Sequence, residues 1–86
     1  MSSVTVYTTD PCSFCLQAKA LLRKRGIPFD EVNLVKDPAG RAELIEKTGM
    51  MTFPQVVIHG EVVGGFSELR ELDRSGQLLE LVDRAA

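Results

Sequence analysis

The spacing of apolar residues along the chain switches between two rhythms. Val4, Thr5, Val6 and Tyr7 cluster β-formers and predict a first strand over about residues 3–8. Thr9-Asp10-Pro11 reads as a turn. A helical rhythm follows, with Phe14, Ala18, Leu21 and Leu22 at i, i+4, i+7 and i+8, which predicts a helix over about 13–25. Lys24 and Arg25 fall in its last turn, where cations complement the helix dipole, and Gly26 and Pro28 stop it. Phe29 to Leu34 alternates loosely and reads as a second strand. Asp37-Pro38 supplies an N-cap and a first-turn proline for a second helix over about 38–48, with Ala42, Leu44 and Ile45 as its apolar face and Gly49 as its end.

Val56-Val57-Ile58 is an unbroken β-branched run, the pattern of a strand covered on both faces. His59-Gly60 is a two-residue turn signal, so Glu61-Val62-Val63 is expected to pair back as a hairpin. Gly64-Gly65 breaks that strand. Ser67 is expected to cap a third helix carrying Leu69 and Leu72, and beyond Gly76 a short helix carries Leu78, Leu79 and Val82. The predicted order is β-α-β-α-β-β-α, with a possible fourth helix. A helix joins the first two strands, so they are expected to be parallel with a right-handed crossover, and the last two antiparallel. The fold class is therefore α/β: one domain over 1–86, with a four-stranded mixed sheet flanked by three to four helices on both faces.

Composition narrows the function classes. Ten basic and twelve acidic residues are interspersed, for a net charge of −2, which offers neither a nucleic-acid nor a polybasic membrane surface. No charged stretch followed by an apolar one opens the chain, and no apolar run nears the roughly 20 residues that span a bilayer. The expected setting is cytoplasmic, where structural disulfides are rare and a cysteine pair is catalytic or metal-binding more often than a staple.

That pair is Cys12-Ser13-Phe14-Cys15, the chain's two cysteines, placed between a strand and the helix it opens. The thiolate is the attacking species in disulfide exchange, and free N–H groups with the helix dipole favour a negative sulfur at a helix N-terminus. Cys12 is so placed and is the expected nucleophile. Cys15, one turn on along the same face and more buried, is the expected resolver. Half of a zinc site has the same spacing, but His59 is the sole histidine and no second Cys/His pair completes one.

Three further segments bear on ligand binding. Thr52-Phe53-Pro54 precedes the β-branched run, and a cis peptide there would leave the Phe53 backbone free to pair with an extended tripeptide thiol. A trans proline at a strand start is the plainer reading, and the base rate of X–Pro bonds favours it. Gly64-Gly65-Phe66-Ser67-Glu68 permits close backbone approach, offers a helix N-terminus to a carboxylate and sets Glu68 where it can accept from an ammonium; it reads equally as a capped turn. Arg41 reads either as a solvated helix residue or as a cation within reach of a ligand carboxylate. His59 reads as an exposed turn residue, and Met50-Met51 as adaptable surface beside the site.

Together these features resemble a glutaredoxin of the small bacterial dithiol type. Tyr7-Thr8, Cys12-Ser13-Phe14-Cys15, Ala18-Lys19-Ala20-Leu21-Leu22, Thr48-Gly49, Thr52-Phe53-Pro54-Gln55, Gly64-Gly65-Phe66 and Leu69 fall in that family's order and spacing. The resemblance implies a thioredoxin-like fold, a cis Pro54, and a cytoplasmic monomer that uses glutathione to reduce protein disulfides and glutathione mixed disulfides. It implies that Thr52, Phe53 and Pro54 hold the cysteinyl unit of glutathione, that Gly65, Phe66, Ser67 and Glu68 hold its γ-glutamyl end, and that Arg41 meets its glycine carboxylate. The chain departs from the family pattern in having Thr9 where a lysine is frequent, Ser13 and Phe14 where proline and tyrosine are usual, Phe53 where valine is common, and Ser67-Glu68 where Asp-Asp or Ser-Asp is common.

Two other classes fit the same motif. One is a carrier dimer bridged by a [2Fe-2S] cluster, with Cys12 of each chain and two glutathione thiols as the four ligands. The other is a redoxin that donates electrons to a specific reductase and is recharged by thioredoxin reductase. Gly64-Gly65 and Glu68 favour glutathione over the latter.

Overall fold

The computed structural model describes residues 2–84, so Met1, Ala85 and Ala86 of the expected 1–86 domain lie outside the described residues. The elements run β1 (Val4–Thr8), α1 (Ser13–Lys24), β2 (Asp30–Asn33), α2 (Pro38–Thr48), β3 (Gln55–Ile58), β4 (Glu61–Gly64), α3 (Phe66–Arg74) and α4 (Gln77–Asp83). They form one sheet in the order β2-β1-β3-β4. β2 lies parallel to β1, while β3 is antiparallel to both β1 and β4.

Register decides which side chains make the core. Val4 pairs with Ile58 and Val6 with Val56, so these four point to one face, onto which α1 and α3 pack. Ala18, Leu22, Ile27, Leu69 and Leu78 complete that core. Leu22, Leu69, Leu78 and Ile58 are almost wholly buried, and burial of each side chain is worth about 1.5–3 kcal/mol. Tyr7 and Gln55 point to the other face, where Leu44 of α2 shares a hollow with Tyr7 and Leu34. Beyond packing, the Arg25 guanidinium grips Asp73 at 2.7 and 3.0 Å, tying the end of α1 to α3. The buried Thr8 hydroxyl donates to Glu31 at 2.7 Å, and Lys19 meets the same carboxylate, tying α1 to β2.

The expected helix ends are present where their chemistry is local. Asp37 caps α2 by accepting from the Gly40 N–H at 2.9 Å, with Pro38 in the first turn. Gly49 ends that helix in the left-handed region. The His59-Gly60 turn has φ of 51° and 79°, which joins β3 to β4 as a tight hairpin.

Several expectations are corrected. α3 begins at Phe66, and its N-cap is Gly65 and not Ser67; the Glu68 carboxylate reaches back to the Gly65 N–H at 2.7 Å and supplies the capping oxygen. Ala42 is exposed, so of the expected apolar face α2 buries Leu44 and half-buries Ile45. β2 is shorter than Phe29–Leu34, and all four of its residues are exposed because it is an edge strand. Phe14 stands outside the core at 56% exposure. A one-residue irregularity between Val56 and Val57 sets Gly64, not Val63, opposite Val56.

Candidate active site

α1 starts at the sheet end reached by β1, and its N-cap is Cys12 in extended conformation. The Cys12 sulfur accepts the Cys15 N–H at 3.1 Å, so one of the free first-turn backbone donors of the helix is aimed at that sulfur. No acidic residue occupies the first turn of α1. A negative Cys12 sulfur therefore meets a hydrogen-bond donor and the positive end of a dipole without an opposing local charge. Cys12 is half-buried and Cys15 is 2% exposed. Their sulfurs are at disulfide-bonding distance, with Cα atoms 5.2 Å apart, so the structure shows the oxidised end of a dithiol/disulfide couple. The outer sulfur is the one open to attack or to attack by.

The loop before β3 stands against this pair. The Cys12 sulfur lies 3.7 Å from the Phe53 carbonyl oxygen. The Asp10–Pro11 and Phe53–Pro54 peptides are both cis; the second agrees with the resemblance, and the first was not anticipated. Among the described residues, the Phe53 N–H and C=O enter no sheet or turn hydrogen bond. A cleft of about 330 Å³ opens beside them. Thr52, Phe53 and Pro54 form one wall, and Gly65 to Glu68 the other. Phe14 and Met50 also line it, and the Phe14 ring stacks on Phe66 with centroids 6.0 Å apart. Gly64 is sterically necessary here, whereas Gly65 has ordinary van der Waals room for a Cβ. A Cβ on Gly65 would sit 3.4 Å from the Pro54 carbonyl oxygen, and one on Gly64, whose φ is 131°, would sit 2.7 Å from the Glu68 carboxylate.

Arg41 comes to the site from α2. Its Nη2 donates to the Thr9 hydroxyl at 2.8 Å, and its guanidinium carbon lies 5.6 Å from the centre of the Phe53 ring. Its Nε is buried without a partner. The sequence-predicted residues thus converge on one end of the molecule in two groups: the cleft-lining set, and Arg41 behind Phe53. His59 lies apart, at the β3–β4 turn. It is half-buried, with Nε2 3.1 Å from the Val82 carbonyl oxygen, and not the exposed residue expected.

One organising residue escaped the sequence reading. Gln55 is fully buried, and its amide nitrogen donates to the carbonyls of Met50 and Thr52 at 2.8 and 3.1 Å while its oxygen accepts from the Thr48 hydroxyl at 2.9 Å. It fixes the loop that carries Thr52-Phe53-Pro54. The signal was a lone amide at the head of a β-branched run, directly after a proline.

A helix-capping dithiol beside a proline loop, on a four-stranded mixed sheet covered by helices, defines a thioredoxin-like redox domain. The glutaredoxin family model matches residues 4–63. The chain is 42% identical over 78 residues to a glutaredoxin of Pseudomonas aeruginosa, covering 91% of this chain and 93% of that one. It is 38% identical over 78 residues to glutaredoxin 3 of Escherichia coli, covering 91% and 94%. It also superposes on the crystal structure of a buckwheat glutaredoxin–glutathione complex with a TM-score of 0.87 at 27% identity, covering 94% of this chain and 76% of that one. The chain belongs to the glutaredoxin family and is a thiol–disulfide oxidoreductase. Among the described residues, no helix is long and apolar enough to cross a membrane.

Proposed function

We propose that the protein reduces protein disulfides and glutathione mixed disulfides at the expense of glutathione, as a monomer in a reducing cytoplasm. The observation that carries this reading is the cleft beside Cys12, whose one wall presents the unpaired Phe53 backbone and whose other wall opens α3. An extended peptide pairs with such a backbone by strand addition. The far wall suits an amino-acid-like end: the α3 N-terminus attracts a carboxylate, and Glu68 attracts an ammonium. Glutathione has that zwitterionic end, a cysteinyl unit in the middle and a plain carboxylate at the other end. The buckwheat relative whose fold it shares was crystallised with glutathione.

In this reading the Cys12 thiolate attacks the glutathionyl sulfur of a mixed disulfide. The substrate leaves as a thiolate and takes up a proton, and Cys12 is left glutathionylated. The thiolate of a second glutathione attacks that glutathionyl sulfur, releasing glutathione disulfide and the Cys12 thiolate. With a protein disulfide, Cys12 instead forms a mixed disulfide with the protein, and Cys15 displaces it. The Cys12–Cys15 disulfide of the present structure is the product of that step, and two glutathione molecules return it to the dithiol. Because Cys15 is buried and Cys12 is not, the outer sulfur receives the external thiol in both routes.

The test is turnover of the glutathione mixed disulfide of a small thiol, coupled to glutathione reductase and NADPH. Activity is expected in the wild type and in Cys15→Ser, and none in Cys12→Ser. Turnover driven by thioredoxin reductase and not by glutathione would overturn the reading.

A further inference from the structure

We propose that the Phe53 ring, with the Thr9 hydroxyl, is a positioning element that aims Arg41 at the plain carboxylate end of the thiol co-substrate, so that Phe53 sets specificity for that end. This rests on the glutathione reading above. Phe53 does two things at once. Its backbone faces the reactive sulfur, with its carbonyl oxygen 3.7 Å from Cys12 Sγ, and its ring lies 5.6 Å from the Arg41 guanidinium carbon. A ligand that pairs with the Phe53 backbone is thereby brought to the residue whose ring carries the cation.

Arg41 has the chemistry of a group waiting for an anion. The Thr9 hydroxyl satisfies one donor, and the ring offers its negative face, but Nε is buried with no acceptor. No carboxylate among the described residues pairs with Arg41. The acids next to Arg41 or Thr9 in the chain have partners of their own: Glu43 pairs with Lys47 at 3.0 Å, Asp37 caps α2 through Gly40, and Asp10 accepts from Asn33 at 2.9 Å. A half-buried guanidinium with no paired carboxylate carries a charge that an external anion would balance. A carboxylate does so with two parallel bonds, provided the planar fork is held at a fixed angle. The ring and the hydroxyl hold it from two sides.

The assignment of ends follows from charge. The α3 wall combines an anion-attracting helix start with the Glu68 carboxylate, which fits an end bearing both ammonium and carboxylate. No acid among the described residues pairs with Arg41, which fits the end bearing a carboxylate alone.

The test compares glutathione with its glycinamide analogue, in which that carboxylate is a neutral amide, as reductants in the coupled assay. The variants are Phe53→Leu, Phe53→Tyr and Thr9→Val. In the wild type the amide is expected to have a KM about 3- to 10-fold higher, the scale of one partly exposed charge contact. Phe53→Leu is expected to raise KM for glutathione by a similar factor of about 3 to 10 without a further rise for the amide, and Phe53→Tyr, which keeps the ring, to restore the preference. Thr9→Val leaves Phe53 intact and is expected to show the same acid-selective loss. An equal rise for both thiols in Phe53→Leu, or no preference for the acid in the wild type, would overturn the proposal while leaving glutathione-dependent activity standing. No turnover with either thiol would instead remove the glutathione reading, and this proposal with it.

Discussion

Replacing Gln55 tests how the ligand loop is held. Its side chain is fully buried and makes three hydrogen bonds, two to the carbonyls of Met50 and Thr52 and one from Thr48. Gln55→Leu keeps much of the volume and deletes all three. At about 0.5–1.5 kcal/mol net per bond, the loss is about 2–4 kcal/mol. A domain of this length has about 4–13 kcal/mol in all, so the change is large but survivable. With a urea slope near 1 kcal/mol/M, the unfolding midpoint should fall by about 2–4 M. Gln55→Glu is the sharper variant, because it turns carboxylate oxygens toward two carbonyl oxygens. At neutral pH it should unfold at lower urea than Gln55→Leu. Burial and facing carbonyls raise the new acid's pKa in the folded state, so its penalty shrinks as pH falls through that raised value. Both variants should raise KM for glutathione, since Thr52 is one of the anchored residues. A midpoint drop below about 0.5 M for Gln55→Leu, or a Glu variant no worse than the Leu variant at neutral pH, would refute the claim that this amide fixes the loop.

Other perturbations follow from the same contacts. The Thr8 hydroxyl, foremost, and then Lys19 and the charge of Arg23 hold the Glu31 carboxyl below its ordinary value of 4.5, against a smaller opposing effect of partial burial. A depressed acid stabilises the fold above its unfolded value and loses that contribution as pH falls through the folded one, so Glu31→Gln should flatten the decline in stability below about pH 4.5, measured by urea unfolding across that range. Gly64→Ala puts a side chain where φ is 131° and its Cβ would crowd the Glu68 carboxylate, costing about 1–3 kcal/mol and lowering Tm by roughly 4–24 °C in a thermal melt. Leu69→Ala, at a fully buried position, should cost about 2–5 kcal/mol by urea unfolding, whereas Leu79→Ala, at an exposed one, should stay within about 0.5 kcal/mol.

What the sequence disclosed depended on how local the determining physics was. The Asp37-Pro38 helix start, the Gly49 stop and the His59-Gly60 hairpin rest on neighbours within a few residues, and the structure places them as expected. The parallel pairing of β1 with β2 followed from the helix that joins them. The strand order did not, since nothing in the spacing says that β3 inserts beside β1. Serine favours an N-cap, which points to Ser67; the Glu68 carboxylate, three residues after Gly65, supplies the capping oxygen instead, and α3 starts at Phe66. Ala42 and Phe14 fit a helical apolar stripe, yet tertiary packing leaves both in solvent, Phe14 because it meets Phe66 at the rim of the cleft. The cysteine pair was legible from its spacing. The contacts of Arg41 with Thr9 and Phe53, and the grip of Gln55 on the 48–54 loop, needed coordinates. Arg41 and Thr9 are 32 residues apart, beyond what a local pattern can report.

Cys12 carries the glutathionyl group in the proposed reaction, and intact-mass spectrometry of reduced Cys15→Ser and Cys12→Ser after brief exposure to glutathione disulfide measures this directly. Cys15→Ser should gain one glutathionyl group rapidly and lose it when excess glutathione is added. Cys12→Ser should gain it slowly if at all, because its remaining sulfur is buried. Equal labelling of the two variants, or an adduct on Cys15→Ser that glutathione does not discharge, would contradict the assignment.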